Sequence, residues 1–200
     1  MLGKLFKLLT VAMLVSTAAG GAWLVGGGPL RGHADAPATV DADTATELGF
    51  AEPTLEPVDV EETIATNGIE KRINVSGYVA ATGTADGNAT VMLLTLPGWQ
   101  VGGVSMNPLT HLPLQQAVTY VLPNLPVDTP AVTAVGESEL ELGDTAVTAG
   151  EYAAEDQEMR VVVARQTMGG DAVFAVGAYT AGNPDARDRI EALFANVTHG

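Results

Sequence analysis

The separation of apolar from acidic residues constrains this 200-residue chain more than any other feature. Residues 8–30 carry no formal charge, Lys4 and Lys7 precede them, and all 24 Asp and Glu residues lie beyond residue 30. About 20 apolar residues are needed to cross the hydrocarbon core of a bilayer, and flanking lysines favour its cytoplasmic side. The sequence therefore predicts a cytoplasmic N-terminus, a transmembrane helix and an acidic domain that faces the cell exterior.

A cleaved signal peptide is the alternative interpretation of the same segment. Residues 8–15 would suffice as its hydrophobic region, which needs about 7–15 residues, and the small residues 18–22 would suit a peptidase. Trp23, however, begins a further apolar stretch and suits the outer interface of a membrane. We therefore favour an anchor in the cell membrane over secretion after cleavage. The chain contains no cysteine, so a lipid-carrying N-terminal cysteine is excluded.

The same pattern divides the chain into three parts. Residues 1–30 form the predicted anchor or signal segment, and residues 31–37, which show no periodicity, are expected to be a short tether. Residues 38–200 are expected to form one acidic domain outside the cytoplasm, since about 160 residues are enough for a single hydrophobic core.

The charge of that domain limits its partners. Residues 31–200 contain seven Lys and Arg against 24 Asp and Glu, a net charge of −17, and Lys71 is their only lysine. Repulsion among so many carboxylates is screened when the Debye length falls to about 3 Å at 1 M salt. The composition therefore predicts adaptation to high salt. It excludes nucleic acid as a partner, because phosphate binding needs basic patches.

Alternating and β-branched residues predict strands through most of the domain. The dipeptide Asn67-Gly68 is a strong signal for a two-residue hairpin turn, and the apolar run of residues 91–94 indicates a strand that is buried on both faces. The predicted strands are residues 58–66, 69–81, 89–96, 131–135, 137–142, 145–154, 159–166 and 172–179.

Helical patterns are fewer. Residues 41–48 predict one or two turns that end at Gly49, and residues 111–122 predict a mid-chain helix with one apolar side. Asn183 and Pro184 begin a C-terminal helix. Together the elements predict an α+β fold, a mostly antiparallel sheet of about six to seven strands covered by the mid-chain helix and the C-terminal helix. The buried stripe of the C-terminal helix is expected to be Ile190, Leu193, Phe194 and Val197.

Several stretches resemble a haloarchaeal family of exported, often lipid-anchored proteins whose domain has no known function. They are Glu-Leu-Gly-Phe at 47–50, Met-Asn-Pro-Leu at 106–109, Leu-Glu-Leu-Gly at 140–143, and the final strand with its Asn-Pro-Asp turn and helix. The chain lacks the lipid-carrying cysteine that is usual in that family, which favours a protein anchor. The order of elements after the Leu-Pro-Gly-Trp at 96–99 is also similar to the topology of the photosystem protein PsbP and its bacterial relatives. Both resemblances imply a compartment and a fold, and neither implies a catalytic residue.

Groups suited to catalysis are scarce. His33 lies in the predicted tether, His199 is the penultimate residue, and His111 lies at the start of the mid-chain helix. Residues 103–107 approach the Gly-x-Ser-x-Gly nucleophile elbow around Ser105 but end in Asn107. We therefore expect no catalytic residue, no cofactor and no enzyme activity, and a hydrolase that uses Ser105 is the least favoured alternative.

Carboxylates recur at every second position of one predicted strand, as Glu137, Glu139 and Glu141. A strand would place all three on one face, where their oxygens could gather Ca²⁺. Their spacing matches no EF-hand loop, and the whole domain is rich in carboxylates. We interpret the row as a solvated face and expect no metal site.

The loop after the 89–96 strand contains the candidate binding residues Trp99, Met106 and Asn107. Trp99 combines a large apolar area with one polar group, so it could form the floor of a ligand groove. The simpler interpretation is that it closes one end of the hydrophobic core.

Sequons for N-glycosylation begin at Asn74, Asn88 and Asn196. Asn74 lies within a predicted strand, whereas Asn88 lies at a predicted turn. Asn88 is therefore the sequon that we expect to be modified.

Taken together, the sequence favours a membrane-anchored, externally facing, non-enzymatic domain that binds or supports another component of the cell envelope. The membrane contact is made by the N-terminal helix, and the expected partner is an envelope protein. A surface protein that binds a small ligand in a groove near Trp99 is the alternative from a different class.

Overall fold

A computed structural model describes residues 30–66, 69–98, 100–101, 104–105, 114, 132–154 and 158–200. Its helices are α1 (Ala42–Glu47) and α2 (Pro184–Ala195). Its strands are β1 (Leu30–His33), β2 (Ala38–Thr39), β3 (Thr54–Thr66), β4 (Ile69–Gly83), β5 (Ala89–Leu96), β6 (Gln100–Val101), β7 (Val104–Ser105), β8 (Val132–Leu142), β9 (Thr145–Ala154), β10 (Met159–Met168), β11 (Asp171–Thr180) and β12 (Thr198–His199).

One large sheet dominates the described part of the chain. It has eight strands in the order β1-β4-β5-β11-β10-β9-β8, and β3 pairs with the other edge of β4. The β1–β4 pair is parallel and the remaining pairs of this sheet are antiparallel. The α+β class and the mostly antiparallel sheet are thus confirmed, but the sheet has eight strands and not six to seven.

The eighth strand comes from the segment that was expected to be a tether. Residues 30–33 form β1, in register with Ile73 to Ser76 of β4. The four residues Leu-Arg-Gly-His do not alternate between apolar and polar, and their partner lies some forty residues away in the chain. Such a parallel pairing leaves no local pattern in the sequence.

The long hairpin β3–β4 projects beyond the rest of the sheet. Thr66 pairs with Ile69, which leaves the two-residue turn that Asn67-Gly68 predicts. β4 pairs with β5 only from Tyr78, opposite Thr95, onwards. We call residues 59–66 and 69–76, which lie beyond the end of β5, the hairpin extension. β1 pairs with this extension.

A bulge joins two predicted strands into β8. The register of β8 against β9 shifts between Ala134 and Gly136, and Val135 is 53% exposed there. The irregular stretch explains why the pattern predicts two short strands, 131–135 and 137–142. After the bulge, Leu140 and Leu142 are buried in the core.

The two faces of the sheet build two hydrophobic clusters. On the helix face, where α1 and α2 pack, the predicted stripe of the C-terminal helix is buried. On the second face, Phe174 is fully buried and Leu114 packs against the cluster. Both faces of β5 are covered, as the run of residues 91–94 predicts. Ile190, Leu193 and Phe194 are at 0% exposure, and Val197, at 4%, lies beyond the end of α2 and not within the helix as predicted.

Local signals explain both described helices. The side chain of Asp41 accepts hydrogen bonds from the backbone N–H groups of Asp43 and Thr44 and caps α1. Asn183 accepts from the N–H of Ala186 at 3.2 Å at the start of α2, and Pro184 follows it. In the described part of the chain, each helix is too short or too polar to cross a bilayer. The predicted N-terminal helix and, apart from Leu114, the predicted mid-chain helix lie outside the described residues.

Candidate functional site at the end of strand β5

Asp171 is the one carboxylate among the described residues that is buried in the core. It is the first residue of β11 and follows Gly169 and Gly170, whose φ angles of 57° and 100° form the tight turn from β10. Its position in β11 points it to the helix face, as it does for Val173 two residues later. A buried charge must be compensated by hydrogen bonds, so the donors around Asp171 define the local structure.

Three chain segments donate to this carboxylate. His199 Nε2 lies 3.1 Å from Oδ2, the backbone N–H of Asp35 donates to Oδ2 at 2.7 Å, and the N–H of Gly98 donates to Oδ1 at 3.4 Å. Since an ionised carboxylate only accepts, the imidazole contributes a hydrogen bond to it in the tautomer that carries a proton on Nε2. We call these four residues the Asp171 cluster.

The cluster fastens the N-terminal part of the domain across the sheet. Ala34 donates its N–H to the carbonyl of Ser76 at 2.9 Å, and Ala38 donates to the hydroxyl of Thr95 at 2.9 Å. Thr95 is fully buried. Its hydroxyl and the carboxylate of Asp171 accept hydrogen bonds from the backbone N–H groups of Ala38 and Asp35, which would otherwise have no partner in place of water. A structural role therefore accounts for both buried polar residues.

The predicted binding loop starts at this cluster. A Cβ on Gly98 would lie 1.7 Å from the carbonyl oxygen of Gly170, so the chain that leaves β5 passes directly against the β10–β11 turn. Trp99, Met106 and Asn107 themselves lie outside the described residues. The structure therefore fixes where their loop begins and leaves the groove near Trp99 as a prediction.

Ser105 is the last residue of β7 and pairs with Gln100 of β6 in a small two-stranded sheet. A nucleophile elbow also requires a sharp turn into a helix after the serine, and residues 106–113 lie outside the described residues. His111 lies outside the described residues.

His199 is the residue that sequence reasoning missed. Its position next to the C-terminus gives no indication of a role, yet β12 pairs with β2 and places the imidazole of His199 beside Asp171. A Cβ on Gly169 would lie 2.6 Å from Nδ1, so the backbone of the turn closes that side of the ring. A catalytic base needs a free nitrogen facing its substrate. The arrangement is suited to holding chain segments together.

The carboxylate row on β8 is exposed, as predicted. Glu137, Glu139 and Glu141 are all exposed, and Leu140 and Leu142 alternate with them inside the core. Within the described ranges, no three His, Asp or Glu side chains are close enough together to hold a metal ion.

A second polar network joins α2 to the sheet. Arg187 donates to Glu151 of β9 at 2.5 Å, to Glu191 at 2.8 Å and to Ser138 of β8 at 3.3 Å. The hydrogen bond to Glu191 is the main reason that the pKa of Arg187 is raised. Burial raises the pKa of the nearby Tyr179 phenol. We call Arg187, Glu151, Glu191 and Ser138 the Arg187 network.

Arg165 is the cation of the second face. Its guanidinium lies 6.0 Å from the ring centroid of Phe174, its cross-strand neighbour, within reach of a cation–π interaction. Burial lowers the pKa of this group. Phe174 belongs to the hydrophobic cluster of this face.

The three sequons occupy different settings. Asn74 is half-buried in β4 between β1 and β3, opposite Arg31 and Glu61. Asn88 lies at the predicted turn, where its side-chain amide donates to Asp86 at 2.8 Å and is half-buried. Exposure is greatest at Asn196, which follows α2.

A shallow apolar groove on the helix face has a cavity volume of about 10 Å³. Ligand pockets usually measure about 300–1,000 Å³, so the groove is too small for a drug-sized ligand. It lies beside Val91 and Leu93 of β5, several residues before Gly98. Its lining includes Val40, Pro53, Ala80, Val91, Leu93 and Leu193.

Comparison with known proteins identifies a matching protein family. A family model described as a domain of unknown function, DUF6517, matches residues 37–198. The match includes Asp171 and the Arg187 network and stops just before His199. No curated protein matches the chain.

Proposed function

This chain belongs to the DUF6517 family, and we propose that it is a membrane-anchored domain that faces the cell exterior. In this proposal the domain binds or supports another envelope component, catalyses no reaction and is adapted to high salt. The haloarchaeal source and the likeness to PsbP-like proteins belong to the same proposal. The uncharged run of residues 8–30 is the observation that carries it.

The position of β1 supports the anchor. The uncharged run ends at Leu30, the residue at which β1 begins. Only the Gly-Gly-Gly-Pro stretch of residues 26–29 separates the hydrophobic segment from β1, so a span that ended near Val25 would hold the sheet within a few residues of the bilayer. A signal peptidase cut near Pro37 would remove β1 and its hydrogen bonds to β4, whereas a cut near Trp23 would leave them.

Extraction from membranes tests the anchor. We expect the full-length chain to remain in the membrane at alkaline pH, and its domain to be accessible to protease added outside the cell. The alternative of secretion would be correct if a mature chain that starts near Trp23 or Pro37 is recovered from the medium.

The loop that follows Gly98 is the proposed recognition surface. Gly98, from which the loop leaves β5, is held by Asp171 and by the β10–β11 turn, and loops on a rigid scaffold commonly supply binding residues. Crosslinking in native membranes should capture an envelope protein, and Trp99→Ala or Met106→Ala should weaken the capture. Small molecules that change Trp99 fluorescence would instead favour the ligand-binding alternative.

A matched control comes from the exposed carboxylate row. A triple Glu137/Glu139/Glu141→Gln variant changes three exposed side chains on β8, four strands from β5 in the sheet, and should leave capture unchanged. Ser105→Ala should do the same. A measurable turnover that either change abolishes would show that the protein is an enzyme and would refute this part of the proposal.

High-salt adaptation is tested by melting. The net charge of −17 on residues 31–200 should destabilise the domain when the Debye length is about 10 Å at 0.1 M and much less when it is about 3 Å at 1 M. A domain that begins at Leu30, so that β1 is retained, should melt at a higher temperature in molar KCl. A melting temperature that does not respond to salt contradicts the proposal.

A further inference from the structure

We propose that β1 and the hairpin extension form the surface of this domain that lies against the phospholipid headgroups of the bilayer. The inference rests on the proposed membrane anchor and adds an orientation to it. The direction of one strand pair, the shape of the sheet and the distribution of charge support it independently.

The direction of β1 sets the end of the domain from which the anchor enters. β1 runs parallel to β4, with Leu30 opposite Ile73 and His33 opposite Ser76. A chain that enters β1 at Leu30 therefore comes from the side on which β4 begins, which is the side of the hairpin turn. Ile69 lies four residues before Ile73, or about 13 Å at ~3.3 Å per residue. The anchor and the hairpin turn are thus at the same end of the sheet.

The shape of the sheet makes the extension the first part to meet the bilayer. Its central strands stop short of the extension, since β5 pairs with β4 only between Tyr78 and Gly83. The turn at residues 84–88 lies at the opposite end of β4, fourteen residues and about 46 Å from Ile69 at ~3.3 Å per residue. An anchor that ends a few residues before Leu30 would place this far turn well away from the membrane.

Charge distribution favours the same orientation. The extension and β1 have a net charge of −1, whereas the remainder of residues 31–200 carries −16. Anionic headgroups would repel the remainder of the domain, but they can be approached by the nearly neutral extension. The charged residues concerned are Arg31, Lys71 and Arg72 against Asp59, Glu61, Glu62 and Glu70.

Two of the cations share one face of the extension. Arg31 is in register with Asn74, and Arg72 lies two residues before Asn74 on the same strand, so both project to the same side of the sheet. Asp59, Glu61 and Glu70 occupy register positions on this face as well, so the arginines offset most of its negative charge. Both residues are exposed. Guanidinium groups bind phosphate oxygens in direct, bidentate hydrogen bonds, and contacts at this distance persist when salt screens longer-range attraction.

Single labels test the orientation cleanly, because the chain has no cysteine of its own. Full-length Ala65→Cys and Ala85→Cys variants would carry an environment-sensitive fluorophore in vesicles of phosphatidylcholine and phosphatidylglycerol that contain a headgroup-attached quencher. Residue 65 lies in the extension, and residue 85 lies in the exposed turn at the far end. We expect quenching at residue 65 to exceed that at residue 85 several-fold.

Alkaline extraction of the same vesicles separates the two possible failures. If the chain resists extraction but residue 85 is quenched as strongly as residue 65, the orientation is wrong and the anchor stands. If the chain is extracted, the anchor fails and the orientation fails with it. Replacing Arg31 and Arg72 by Gln should lower quenching at residue 65 in phosphatidylglycerol vesicles, whereas the matched Arg189→Gln change on α2 should not. Equal effects of the two changes would refute the headgroup contact.

Discussion

The Asp171 cluster and the Arg187 network both join distant segments through a charged side chain, but they differ in burial. The side chains of Asp171 and His199 are 4% and 7% exposed, whereas those of Arg187 and Glu151 are 32% and 24% exposed. Breaking a buried pair costs about 3–5 kcal/mol because the remaining group has neither water nor partner. A half-exposed pair keeps much of its hydration and contributes about 0–1 kcal/mol. The two networks should therefore contribute very differently to stability.

Removing the buried carboxylate should have the largest effect. Asp171→Ala leaves His199 Nε2 and the N–H groups of Asp35 and Gly98 without their acceptor, so we expect a loss of about 3–5 kcal/mol in the free energy of unfolding. Denaturant titration in molar salt measures this loss of unfolding free energy. Asp144→Ala removes the same charge from an exposed turn and controls for relief of repulsion. A loss below about 1 kcal/mol relative to this control would show that the cluster is not a structural centre.

Crowding the cluster should have the next largest effect. Gly98→Ala places a methyl group against the carbonyl of Gly170, and overpacking of this kind costs about 1–3 kcal/mol. Gly136→Ala is the matched control, because a Cβ there meets no atom within 4 Å. The two variants are compared by thermal melting. Equal stability of both would contradict the close passage of the chain beside the β10–β11 turn.

The partly exposed Arg187 network should contribute less, and its contribution should depend on salt. Arg187→Gln is expected to cost no more than about 1 kcal/mol, and less in 1 M salt than in 0.1 M salt because screening weakens partly exposed pairs. Arg189→Gln on the same helix controls for the loss of one positive charge. Unfolding free energies at the two salt concentrations measure the difference. A cost as large as that of Asp171→Ala would remove the distinction between the two networks.

The smallest expected effect on stability comes from Asp86, whose side chain is fully exposed. Hydrogen bonds from the Thr84 hydroxyl, then from the backbone and the side chain of Asn88, lower the pKa of Asp86 from 3.8 to about 2. A lowered pKa in the folded state means that this contribution to stability is present above pH 3.8 and is lost as the pH falls through about 2. Carboxyl NMR titration should find that midpoint, and Asn88→Ala should raise it. An unchanged midpoint in the variant would contradict the assignment.

Elements with signals inside a short window could be predicted well. β5 and β9 occupy the predicted residues 89–96 and 145–154, because apolar or alternating runs there are bounded by turn residues. The start of α2 is predicted by Asn183 and Pro184, whose preference for helix N-termini is local. The two-residue hairpin turn follows from Asn67-Gly68 for the same reason.

Features that depend on distant partners could not be predicted. β1 exists because its four residues pair with Ile73 to Ser76, and the bulge in β8 is defined only by its register against β9. The candidate site shows the same division. Its loop was identified from Trp99 and Met106, but the role of His199 was missed because Asp171 lies 28 residues away.

Composition and local patterns thus determined the charge of this protein, the apolar run before Leu30, the α+β class and the residues of its core stripe. These properties depend on side-chain chemistry and on periods of two or 3.6 residues, which are visible along the chain. The tertiary structure decided which polar groups are buried. In the sequence Asp171 does not differ from the other acidic residues of the 24, and only the folded structure shows that it is buried. Burial is a property of the packed fold, because it depends on atoms from segments as far apart as Asp35, Gly98 and His199.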